Sequence, residues 1–69
     1  MERLRNALCA AMEFGQCVHV VEKMRGNIGI IPRGLTADLV VCDIVVVSRP
    51  DDVQKRRVKL ELADVRLMQ

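Results

Sequence analysis

The sequence predicts a mainly β fold of the α+β class: one N-terminal helix, then a strongly bent five-stranded antiparallel sheet curled into a small barrel. Three observations predict it. Apolar residues recur at helical spacing up to Gly15, the spacing then changes to two, and turn-forming residues cut the remainder into short segments. At 69 residues the chain has room for one domain and one core. Residues 1–69 are therefore expected to form a single domain, the helix within 1–15 and the barrel within 16–69.

Glu2 to Phe14 contains no Gly or Pro and places Leu4, Leu8, Ala11 and Met12 at three- and four-residue spacing. Ala7 and Phe14 widen that apolar stripe, and Gly15 supplies a left-handed stop. Cys17 to Met24 reads as the first strand, with Val18 and Val20 on one face and His19 and Val21 on the other. Arg25-Gly26-Asn27 is a turn candidate. Ile28, Ile30 and Ile31 form a second strand ended by Pro32, which lacks an amide donor and marks an edge or a bend. Gly34 suits a bulge.

Leu39 to Val47 is apolar on both faces, so both faces are expected to be covered, one of them by the helix or by a second subunit. Ser48-Arg49-Pro50-Asp51-Asp52 is the clearest turn. Arg57 to Leu62 alternates strictly, with Val58, Leu60 and Leu62 on one side and Arg57, Lys59 and Glu61 on the other. Ala63-Asp64-Val65 is a break before the short strand Arg66-Leu67-Met68. This order suits a small barrel of the SH3 or Sm type; an open sheet with the helix across one face is the alternative.

The segments resemble Sm-like barrels of bacterial regulators. WYL domains show an A-x-x-x-G helix end, a P-x-G-L bend and an R-x-F-R-L-x-R-I closing strand. The corresponding stretches here are Ala11 to Gly15, Pro32-Arg33-Gly34-Leu35 and Arg57 to Val65. The Rho-binding antiterminator type is similar in size and strand order. The aromatics that name the WYL family are absent, the stretch reading Ala37-Asp38-Leu39. The resemblance implies a non-enzymatic regulatory module acting in transcription or RNA regulation, and it carries over no functional residue.

Composition narrows the function classes. Hydrophobic residues make up 51% and charged residues 29%, a globular balance, with one Phe and no Trp or Tyr. A net charge of +2 does not by itself argue for nucleic acid. The longest apolar run is split by Asp43 and is too short to span a bilayer, so no membrane partner is expected. The charged, helix-like start does not read as a secretory leader, which points to a cytoplasmic protein with reduced thiols.

No constellation carries catalysis. His19 is the sole histidine and shares a strand face with Cys17, but no third orienting group is visible. Cys17, His19 and Cys42 match no metal-ligand spacing, and Cys9, Cys17 and Cys42 each read most simply as small buried hydrophobes. Arg25-Gly26-Asn27-Ile28-Gly29 lacks the Lys and Ser/Thr of a phosphate loop. No enzyme activity, cofactor or metal is expected.

Two surfaces stand out. Arg49, Lys55, Arg56, Arg57 and Lys59 gather cations at one hairpin, where Arg49 is expected near Lys55 and Arg56. Asp51 and Asp52 share the loop, and no aromatic is present to stack on bases. The helix stripe and the doubly apolar strand, represented by Leu4, Leu8, Val40, Ile44 and Val46, form a candidate interface. The expected function is a binding module that docks on a protein or a nucleic acid, with a homo-oligomer or assembly subunit as the alternative.

Overall fold

The computed structural model describes residues 2–68. Helix α1 spans Glu2–Phe14. It is followed by β1 (Val18–Glu22), β2 (Gly26–Leu35), β3 (Leu39–Arg49), β4 (Asp52–Glu61), a 3-10 turn (Leu62–Asp64) and β5 (Val65–Leu67). The strands form one antiparallel sheet in the order β4-β3-β2-β1-β5. The helix and the five strands are as the sequence predicts, but the sheet does not close into a barrel. The 3-10 turn carries the chain from β4 at one edge to β5 at the other, and β5 pairs with β1.

The helix ends because Gly15 adopts φ +64° and lets the Gln16 amide donate to the Ala11 carbonyl at 2.9 Å. A Cβ at Gly15 would meet nothing within 4 Å, so replacement by Ala costs only backbone strain. Gly15→Ala should lower stability by about 1 kcal/mol, seen as a lower urea midpoint. An unchanged midpoint would contradict this cap.

Leu4, Leu8 and Ala11 are buried. Phe14 is 70% exposed, because it lies roughly 120° round the helix from Leu8. Leu4 and Leu8 pack with Val20, Ile30, Val40, Cys42, Ile44, Leu60, Leu62 and Val65 in one core. Arg5 fastens the helix to the β2–β3 corner, its Nη1 donating to the Thr36 carbonyl at 2.9 Å.

The strand boundaries depart from the periodic reading in several places; among them, β3 runs on to Arg49 and β5 is Val65–Leu67, taking in Val65 and leaving out Met68. β1 ends at Glu22, not Met24, because the buried Glu22 carboxylate accepts from the amides of Met24 (3.2 Å) and Arg25 (2.9 Å) and closes a turn over residues 23–25. Burial alone would raise the Glu22 carboxyl, but these bonds and the Arg25 guanidinium hold it below its ordinary range. Gly26 completes the turn at φ +73°.

β2 does not stop at Pro32 but continues to Leu35, with a bulge between Pro32 and Gly34. The proline is tolerated because β1 pairs no further along β2 than Ile30, so Pro32 has no strand on that side. β4 begins at Asp52 and hands Leu62 to the 3-10 turn, where the Leu62 amide donates to the Asp38 carbonyl at 2.8 Å.

Candidate functional site: the β3–β4 arm

β3 is longer than the neighbour that supports it. Its pairing with β2 reaches only Gly29 opposite Val45, whereas its pairing with β4 continues to Arg49 opposite Asp52. Beyond Val45 the hairpin therefore has no third strand. Helix α1 packs mainly on β2 and β1. The result is a projecting two-stranded arm whose residues 46–57 are all exposed. Val46, Val47 and Val53 are 44%, 61% and 51% exposed.

The apolar strand expected to be covered along its length is thus covered only in part. Of the candidate interface residues, Leu4, Leu8, Val40 and Ile44 are buried in the chain's own core, and Val46 alone is exposed.

Register distributes the cations. Lys55, Arg57 and Lys59 lie opposite Val45, Asp43 and Val41, on the face turned away from the core. Arg56 lies opposite Ile44 on the core-facing side of β4 and is itself exposed. Arg49 sits at the tip opposite Asp52, and Lys55 is three residues further down β4, roughly 10 Å away at about 3.3 Å per residue. The hairpin forms, but it does not bring Arg49 beside Lys55 and Arg56.

Arg57 differs from its neighbours. Its Nε donates to Asp43 Oδ1 at 2.5 Å, and Arg33 Nε, from the β2 bulge, donates to Asp43 Oδ2 at 3.1 Å. The Arg57 bond, with help from Arg33, holds the buried Asp43 carboxyl below its ordinary range against the opposing effect of burial. Asp43 in turn raises the Arg57 guanidinium further. Among the described residues Arg49, Lys55, Arg56 and Lys59 form no salt bridge, so they carry the uncommitted positive charge of the hairpin.

The thiols separate. Cys17 and the His19 ring converge on Gly29, where an added Cβ would lie 3.0 Å from Cys17 Sγ and 3.8 Å from His19 Nε2. Cys42 is buried on the opposite, core-facing side, and burial together with adjacent Asp43 pushes its thiol up to about 11. Cys9 and Cys17 are exposed rather than buried. The described residues contain no cluster of three or more metal-ligating side chains.

An open groove between the start of α1 and β5 brings Arg3 and Arg66 to an apolar floor of Leu4, Val21, Leu62 and Val65. Among the described residues its lining holds no carboxylate and no nucleophile. Among the described residues no helix is long and apolar enough to cross a membrane. No family model, curated protein or solved structure matches the chain.

Proposed function

We propose that the chain is a non-enzymatic docking module that engages a protein partner through the β3–β4 arm. The observation behind this reading is the run of exposed residues 46–57, which combines three half-exposed valines with the uncommitted cations Arg49, Lys55 and Arg56. Covering those valines would stabilise a complex by about 1–2 kcal/mol each. The cations would steer encounter and set orientation.

A protein partner suits this surface better than a nucleic acid. Asp51 and Asp52 occupy the tip, where they repel phosphates, and the only aromatic, Phe14, is at the end of α1. A regulatory role of the kind that Sm-like barrels perform is compatible with this reading. Self-association is the second reading, favoured by the exposed Val46, Val47 and Val53.

Affinity capture from the native cell, with identification of both protein and nucleic acid, tests the proposal. The wild type should retain a protein that the Val47→Asp/Lys55→Glu variant loses at unchanged circular dichroism. An identical captured set, or nucleic acid alone, would refute it. Sedimentation at micromolar concentration tests the second reading, which requires an oligomer.

A further inference from the structure

β4 is the edge of the sheet, and its ten residues pair on one side only, with β3. Along an antiparallel edge every second residue turns its amide and carbonyl outward, so β4 presents a ladder of unmet donors and acceptors. Apart from its ladder with β3, none of the inter-element backbone hydrogen bonds among the described residues involves residues 52–61. Natural edges are blunted by proline, bulges, a covering element or charged side chains such as lysine, and of these β4 carries the charges alone, which repel a second like strand. Asp52–Glu61 contains no Pro or Gly, and its only irregularity is at the arm tip, between Val47 and Arg49 of β3.

We propose that the free edge of β4 takes up an extended acidic segment of a partner protein as a sixth strand. This rests on the docking role of the arm and specifies its mode and its ligand. Charge selects the occupant. A second copy pairing antiparallel through its own β4 in a register centred on the cations would set like charges together. A two-fold axis at Arg56 places Lys55 opposite Arg57, and one at Arg57 places Lys55 opposite Lys59. The cations that disfavour a second copy favour a strand bearing carboxylates.

Register and spacing narrow the ligand further. Lys55 and Lys59 lie on the outer face, flanking Arg57, which Asp43 already engages. Asp52 and Glu61 bracket the cations and repel an acidic strand that slips towards either end. The preferred segment therefore alternates, with carboxylates on the outer face beside Lys55 and Lys59 and apolar residues on the inner face beside the half-buried Val58.

The test uses a short, end-blocked, fluorescein-labelled peptide of alternating Glu and Val, titrated against the whole chain by anisotropy. Binding should weaken by about tenfold or more in Lys55→Glu/Lys59→Glu, and by a similar factor when alternate peptide amides are N-methylated. Bound peptide should also slow hydrogen exchange at alternate β4 amides. Equal affinity for the N-methylated peptide would overturn the proposal, because charge alone would then suffice. Tighter binding of a duplex oligonucleotide, or a dimer broken by the same double substitution, would overturn it too. Failure of the peptide to bind while arm variants still lose their captured protein would leave docking intact and remove strand addition. Failure of both would remove both.

Discussion

Leu8→Ala should lower the unfolding free energy by about 2–5 kcal/mol. Leu8 is fully buried and, with Leu4, packs from the helix into the core cluster. A chain of 69 residues has roughly 3–10 kcal/mol in total, so this one truncation removes much of it. The mechanism is undocking as well as a cavity. A 13-residue helix is marginal by itself and holds its shape because its stripe is packed. Losing Leu8 weakens the helix's cover over the inner face of the open sheet, and Val20, Ile30 and Val40 then meet water. Val46→Ala is the control, since Val46 is 44% exposed and should change stability by less than about 0.5 kcal/mol. Urea unfolding followed by far-ultraviolet circular dichroism measures both. A Leu8→Ala midpoint equal to that of Val46→Ala would mean that the helix does not seal the core.

That dependence on one helix stripe is also why the fold class is legible. Leu4, Leu8 and Ala11 sit at the helical period, and the pattern breaks where Gly15 turns the chain. Val58 and Leu60 likewise announce β4 by facing inward between charged neighbours. Alternation fails at the ends of the same element. Leu62 continues the period but is buried from a 3-10 turn, because burial of a terminal residue looks the same from a strand or a turn. Residues 52–56 show no apolar alternation and become strand through their backbone pairing to β3. Closure of the sheet has no signal in periodicity, since it depends on whether the two edge strands meet.

The site was less legible, for a related reason. Lys55, Arg56 and Arg57 are consecutive, and consecutive residues of a strand point to opposite faces, so a run of charge is not a patch. Asp43 had one signal, a lone carboxylate inside an apolar run. Its two partners come from β4 and from a bulge in β2, and only the register of three strands brings them together. The projection of the arm follows from a difference in length between β2 and β3, which no local window contains.

Arg57→Glu should destabilise the domain more than any other charge reversal on β4, and its effect should shrink on acidification. The Arg57 guanidinium is the principal reason that Asp43 remains ionised while buried. A glutamate there sets two carboxylates together across the β3–β4 ladder. The pH dependence has a definite sign. In the wild type the Asp43 carboxyl is lowered, so its contribution is complete above the ordinary aspartate value, about 3.9, and is lost as the pH falls through the depressed folded value. In Arg57→Glu the like-charged pair raises one of its two proton-binding steps, so the variant binds a proton more readily folded than unfolded and recovers stability as the pH drops from 7 towards 4. The urea midpoints of wild type and variant should therefore converge across that window. Arg57→Gln, which removes the partner without adding repulsion, should fall between them at neutral pH. Lys55→Glu lies opposite Val45 on the exposed arm and should barely move the midpoint at any pH. Equal losses in Arg57→Glu and Lys55→Glu, or a gap that does not narrow in acid, would refute the assignment of Arg57 to Asp43. The expected order also decides how the arm is probed: loss of partner binding in Arg57→Glu would report unfolding, whereas the same loss in Lys55→Glu would report the surface itself.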